Sequence, residues 1–197
     1  DSFPRKNAIK IIAEHFIADE KIGAVSGNSI VENANVNLVT RMQSARYAVS
    51  FDVFKACESV FSTVTCCPGC FSAYRRSAVI PILESWRNQM MLGTRSTFGD
   101  DRSLTNFLLK RGYKTMFSPS AIAYTAVPDS LRRFMKQQLR WKKSWIREGS
   151  VAASFMWKKH PIASLAFYTN LILPSLGPIV VGLVIYKSIV ALNPTFF

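Results

Sequence analysis

Residues 131–147 read LRRFMKQQLRWKKSWIR, and the spacing of two residue types within them sets the reading of the whole chain. At about 100° per residue, with Leu131 at zero, Leu131, Phe134, Met135, Leu139, Trp141, Trp145 and Ile146 fall within an arc of about 160°. Arg132, Arg133, Lys136, Arg140, Lys143 and Arg147 lie between about 100° and 200°, and only Lys142 strays into the apolar side. The pattern predicts an amphipathic helix suited to a membrane interface, with Trp145 and the long basic side chains at headgroup depth. A helix packed on a soluble core with a solvated basic face gives the same pattern. The flanking sequence separates the two.

Residues 161–186 contain no charged residue and exceed the roughly 20 residues that cross a hydrocarbon core. They predict a membrane-embedded segment. Pro174, Gly177 and Pro178 interrupt it, leaving open one helix or an interfacial half followed by a spanning half. From residue 131 to residue 159 nine Lys or Arg residues face a single acid, Glu148. Most of the +13 formal charge of the 197-residue chain is therefore juxtamembrane, as expected on the cytoplasmic side of a bilayer. This placement, with 49% hydrophobic residues, argues for a lipid bilayer as partner and against nucleic acid.

Upstream, helical and strand signals alternate. Residues 4–18 predict an amphipathic helix with Pro4 in its first turn and Ile9, Ile12 and Phe16 at helical spacing. Residues 22–26 predict a buried strand. Residues 36–61 lack Gly and Pro and predict a mainly helical stretch; residues 64–67 predict a strand broken at Pro68-Gly69 and resumed over residues 71–74. Leu104, Phe107, Leu108 and Lys110 precede Gly112 as a helix precedes its stop, and residues 114–117 and 122–124 predict two short strands. Composition shifts near Pro128. Cys57, Cys66, Cys67 and Cys70 include one C-x-x-C, but the histidines lie far off in sequence, so reduced cytosolic thiols are the better reading than a zinc site.

Two short motifs carry chemistry: Gly99-Asp100-Asp101-Arg102, opening a helix, and Gln137-Gln138-Leu139-Arg140-Trp141 on the amphipathic helix. Adjacent carboxylates at a helix start can simply cap it, and an Arg-Trp pair can be a membrane anchor. In this order, and ahead of a membrane tract, they resemble the processive family 2 glycosyltransferases: hyaluronan synthases, chitin synthases, nodulation chitooligosaccharide synthases and, more distantly, cellulose synthases. Gln137, Arg140 and Trp141 meet the Q-x-x-R-W signature of that family. GDDRSLTN at residues 99–106 is most similar to hyaluronan synthases and their nodulation relatives, as are Arg46-Tyr47, Phe51 and Lys55-Ala56-Cys57. Residues 55–75 are closer to chitin synthases, with Cys67-Pro68-Gly69 where hyaluronan synthases carry Ser-Gly-Pro.

The resemblance implies an α/β fold: a partial GT-A-like glycosyltransferase domain over residues 1–128, amphipathic interface helices over 129–160 and a transmembrane segment over 161–197. It implies a cytoplasmic catalytic domain in a multi-pass plasma-membrane protein that uses a UDP-sugar donor to extend a growing polysaccharide acceptor. UDP-N-acetylglucosamine, with UDP-glucuronic acid, would give hyaluronan; chitin or chitooligosaccharide is the alternative. The resemblance gives Asp101 the role of general base toward the attacking hydroxyl, with Asp100 supporting it and Arg102 beside it on the substrate side. It gives Arg140 the leaving diphosphate, Gln137 and Trp141 the same surface, and Cys67, Pro68 and Gly69 the acceptor border. Asp1-Ser2 resembles the end of a D-x-D motif, making Asp1 a ligand for Mg2+ or Mn2+, although Asp1 can equally cap the following helix. Arg75 and Arg76 read as a solvated basic pair in preference to donor contacts. A non-processive transferase making a glycolipid and a non-catalytic membrane-associated fragment are the rival readings.

Overall fold

In the computed structural model, residues 2–91, 94–95 and 99–192 are described. The chain divides into two compact units, Asp1–Phe155 and Met156–Phe197.

The first unit is built on a mixed four-stranded sheet. Strand β2 (Ile22–Val31) runs parallel to β6 (Lys114–Thr125), while β1 (Ser2–Pro4) pairs antiparallel with the far edge of β6 and β3 (Ser72–Tyr74) with the far edge of β2. Successive residues of β2 point to opposite faces, and each face has its own apolar cluster. Ala24 packs with Phe51, Val64, Cys67, Ala78, Ile82, Leu108 and Phe117; Val25 packs with Ile12, Ile22 and Ala121. Helix α1 (Ala8–Ala18) covers the second face with Ala8 and Ile12. Pro4 lies in edge strand β1, ahead of helix α1 and not in its first turn as expected. An edge strand tolerates its missing N–H.

The helical stretch expected over residues 36–61 is present in three parts. Helix α2 (Leu38–Ala48) opens on a capping box between Asn37 and Thr40, continues into π-helical Val49–Lys55 and ends in α3 (Ala56–Val60). The widened π turns bring Phe51 and Lys55 inward together, both nearly fully buried. The strand expected over residues 64–67 is not formed. Thr63 makes one bridge to Thr115, the Val64 N–H donates to Thr115 O at 3.3 Å, and the Glu58 carboxylate then captures the Thr65 N–H and hydroxyl, turning the chain away from the sheet. The two short strands expected over 114–124 are one, β6, whose register with β2 breaks between Gly27 and Asn28.

Short α4 (Arg76–Val79) and α5 (Leu83–Arg87) and the hairpin β4 (Met90–Met91) and β5 (Thr94–Arg95) lead to α6 (Asp100–Lys110), which buries Leu108 and Leu109. Helix α7 (Leu131–Met156) follows β6. Arg75 is not the solvated cation expected from the sequence: its guanidinium donates to the carbonyls of Ile22, Phe16 and Asp19 and lies over the Phe16 ring. It closes the C-terminus of α1.

The second unit contains α8 (Pro161–Leu192), one continuous helix that carries Pro174 and Pro178 inside it. Over Pro161–Ile189 it is long and apolar enough to cross a membrane.

Candidate active site

The site gathers where the N-terminus of α6, the loop of residues 62–71 and the middle of α7 converge. Gly99 precedes α6 with φ at +81°, the left-handed region that a Cβ disfavours. Space demands glycine as well: a Cβ there would lie 2.0 Å from Ser144 Oγ and 2.8 Å from Ser144 Cβ. The start of α6 is thus seated directly on α7. Ser144 lies about one helical turn beyond Arg140 and Trp141.

Asp101 stands in the first turn of α6. Its Oδ1 accepts from the Arg102 N–H at 2.8 Å and its Oδ2 from the Gly69 N–H at 3.3 Å, with Cys66 Sγ at 4.0 Å from the same oxygen. The Asp101 carbonyl accepts from Thr105 Oγ1 at 2.7 Å, and that hydroxyl oxygen accepts from the Cys67 N–H at 3.1 Å. Buried Thr105 therefore ties the backbone of the acidic turn to the cysteine loop. Asp100 is exposed, and its carbonyl accepts from Trp86 Nε1 at 3.3 Å.

Asp101, Cys67, Pro68 and Gly69 are brought together, but the two adjacent thiols have different surroundings. Cys67 is wholly buried in the core cluster and meets Asp101's turn through Thr105, to which its backbone N–H donates. Cys66 is the one beside the carboxylate. Burial pushes the Cys66 thiol up and the Cys67 thiol to about 12, so both stay protonated at neutral pH.

On α7 the motif residues share a flank with the helix's contacts to the domain. Placed on the same wheel, Gln137, Arg140, Trp141, Ser144, Arg147 and Glu148 lie between about 160° and 280°. The Trp141 ring meets Tyr47 at 6.4 Å between centroids, Tyr47 meets Phe51 at 5.9 Å, and Phe51 meets Phe117 at 6.1 Å. Arg46 donates to Gln138 Oε1. Lys55 Nζ lies 5.3 Å from the Phe51 ring centre and donates to Cys66 O. A continuous set of contacts thus runs from Trp141 through Tyr47, Phe51 and Lys55 to Cys66 and Asp101. Burial, helped by Cys70, pushes the Tyr47 phenol up to about 12. Gln137 Oε1 and Gln138 Nε2 are buried without a hydrogen-bond partner; Arg140 and Trp141 remain open to solvent.

Sequence reading missed Cys66, Thr105 and Glu148, and noticed Tyr47 and Lys55 only through a resemblance. Lys55, four residues after Phe51 and so on the same helical face, was the one available signal. Arg147, placed on a solvated basic face by periodicity, is instead buried: its Nε donates to Glu148 Oε1 at 2.7 Å, with side-chain exposures of 8% and 2%. Asp1 lies outside the described residues. Among the described residues no three His, Cys, Asp or Glu side chains form a metal cluster, and the cysteines there are free thiols.

This geometry sits on a fold with known counterparts. Across 98% of its length the chain superposes on 53% of a mannosyltransferase from Pyrobaculum calidifontis, solved in complex with GDP-Man and Mn2+, with a TM-score of 0.52 at 16% identity. It shares the GT-A fold. The chain is 39% identical to hyaluronan synthase 1 of Xenopus tropicalis over 143 residues, 73% of this chain and 24% of the relative. It is 36% identical to an N-acetylglucosaminyltransferase of Bradyrhizobium diazoefficiens, over 84% of this chain and 33% of the relative. A hyaluronan synthase of Streptococcus pyogenes matches at 32% over 98% of this chain and 45% of the relative. The chain thus spans between a quarter and a half of the curated relatives it matches. The family model described as chitin synthase matches residues 4–152, a range that holds the acidic turn, the cysteine loop and the Q-x-x-R-W motif, and the chain belongs to this family of family 2 glycosyltransferases.

Proposed function

We propose that the whole protein transfers sugars, with inversion, from UDP-N-acetylglucosamine and UDP-glucuronic acid to a growing polysaccharide, and exports the product as hyaluronan. The observation that carries this reading is the seating of Asp101 against the Gly69 N–H, on a helix whose first residues rest on the helix bearing Arg140 and Trp141. In this reading the Asp101 carboxylate accepts the proton of the acceptor hydroxyl as its oxygen bonds to the anomeric carbon and the bond to UDP breaks. The Arg140 guanidinium meets the negative charge that grows on the departing diphosphate. Trp141, backed by Tyr47, offers an apolar face to the acceptor ring, and Gln137 supplies an unpaired amide oxygen for a sugar hydroxyl. Pro68 and Gly69 border the acceptor, with Cys67 holding their backbone in place; Asp100 and Arg102 flank the base.

Asp1, as the end of a D-x-D motif, would offer a carboxylate toward Mg2+ or Mn2+, an ion that would supply positive charge to the departing diphosphate; no chemical step is routed through the ion. The functional division we propose is a catalytic part over residues 1–128, an amphipathic part over 129–160 and a membrane part over 161–197. The catalytic part faces the cytoplasm from a multi-pass protein of the plasma membrane, with lipid and not nucleic acid as its surface partner. This placement is supported by the basic residues ahead of α8.

A chitin or chitooligosaccharide product is the second reading, favoured by Cys67-Pro68-Gly69 and by the matching family model. Membranes holding the full-length protein separate the two: polymer requiring both UDP-sugars supports hyaluronan, and polymer from UDP-N-acetylglucosamine alone supports chitin. The role of Asp101 is tested in the same membranes. Asp101→Asn should bind UDP-sugar normally and lose transfer by about a hundredfold or more. Asparagine caps a helix nearly as well as aspartate, so near-normal synthesis would remove Asp101 from the mechanism.

A further inference from the structure

Seven residues beyond Gly99 on α6, Asn106 is 2% exposed, and its Nδ2 donates twice to a single residue of α7: to Glu148 Oε2 at 2.8 Å and to Glu148 O at 3.0 Å. Glu148 is also 2% exposed, and its other oxygen takes the Arg147 guanidinium. A carboxylate this deep is costly unless paired and hydrogen-bonded. A leucine pair would join two helices more simply, so the polar contact calls for a reason beyond adhesion.

Location supplies one. The contacts of α6 with α7 include Gly99 against Ser144 and Arg147 at its start and Asn106 against Glu148 farther along. Asp101 lies between these two contacts on α6, and Arg140 and Trp141 lie one turn before the first of them on α7. An apolar contact slides with little penalty. A double hydrogen bond to both side chain and backbone of one residue fixes register, because a shift in any direction strands a buried donor or a buried charge.

We propose that Asn106 and Glu148 are positioning residues for sugar transfer, forming a polar lock that holds the base-bearing turn of α6 in register with the motif flank of α7. The proposal rests on the transferase reading above. Displacements near 1 Å between reacting groups cost up to about a hundredfold in rate, so the lock acts on turnover and not on donor affinity.

The test uses the full-length protein in membranes. Asn106→Leu keeps the size and removes the donor; Asn106→Asp with Glu148→Gln keeps one carboxylate and one amide but exchanges the helices that hold them. Asn106→Leu should lower kcat for transfer about tenfold or more with KM for the UDP-sugar within about twofold; the exchanged pair restores the bond between the side chains with its direction reversed but cannot donate to the Glu148 carbonyl, so it should recover part of the loss. Hydrogen exchange at the amides of residues 99–103 should accelerate in Asn106→Leu and return toward normal in the exchanged pair. Wild-type kcat in Asn106→Leu overturns the lock, as does a loss fully explained by less folded protein with kcat per folded molecule unchanged. If the wild-type protein transfers no sugar, the transferase reading falls; the exchange pattern then still decides the lock, because it does not depend on activity.

Discussion

Helices α6 and α7 meet at the site and differ in what they do with their large apolar side chains. Helix α6 turns Leu108 and Leu109 fully into the core and leaves Lys110 outside, as a helix of a soluble domain does. Helix α7 turns Ser144, Arg147 and Glu148 inward and leaves Leu131, Met135, Leu139 and Ile146 58–61% exposed. The domain has taken the polar flank of α7 together with Phe134 of its apolar arc, and has left these four aliphatic side chains of the arc free. Exposed apolar side chains on a helix with a basic flank beside them suit the lipid surface proposed above.

The comparison breaks most severely at its buried charge. Glu148→Ala leaves Arg147 without its carboxylate in the interior and should destabilise the first unit by about 3–5 kcal/mol, read by urea or thermal unfolding. Next come the apolar residues of the two helices. Leu108→Ala should cost about 2–5 kcal/mol of stability, whereas Leu139→Ala should leave stability within about 0.5 kcal/mol. Leu139→Ala should instead weaken attachment to vesicles containing anionic lipid roughly tenfold. Equal stability losses at the two leucines would mean that the apolar arc of α7 packs on protein, and the lipid reading would go with it.

Two smaller effects depend on pH. The Tyr47 phenol, held neutral behind Trp141, ionises near 12 against 10.0 for an ordinary tyrosine. The unfolded chain therefore sheds this proton first, and the stabilisation is complete below pH 10 and lost as pH rises toward 12. Tyr47→Phe should remove that share of the alkaline loss, while Tyr74, also pushed up by burial, keeps its own. The smallest change is at Asp19, far from the site, whose carboxyl is lowered chiefly by its hydrogen bond from Lys114 at 2.6 Å. Its contribution is present above the ordinary aspartate range and lost as pH falls through the lowered value. Asp19→Asn should flatten only the acid end of the stability profile, and slightly, because the pair is open to solvent.

Legibility in the sequence followed the range of the forces involved. The amphipathic period of α7, the charge-free run of α8 and the helical stretch over residues 36–61 are patterns between near neighbours, and all three gave helices. Gly99 and Gly112, read as a loop residue and a helix stop, both have positive φ. The acidic turn and the Q-x-x-R-W residues were found as motifs 36 positions apart, Asp101 to Gln137, with no means of saying that Ser144 and Glu148 would join them.

What the sequence determined by itself is therefore the inventory: α/β segments, a helix with an apolar arc and a basic flank, an apolar run able to span a bilayer, and the residue types of a sugar-transfer site. Only the tertiary structure decided which flank of α7 faces the domain, that Cys66 and not Cys67 turns its thiol to Asp101, and that Arg147 and Glu148 are buried together. Periodicity records how polar a face is, not what stands opposite it. A buried charge is tolerable only when a partner from elsewhere in the chain, here Asn106, arrives to hydrogen-bond it, and that arrival is a property of the fold.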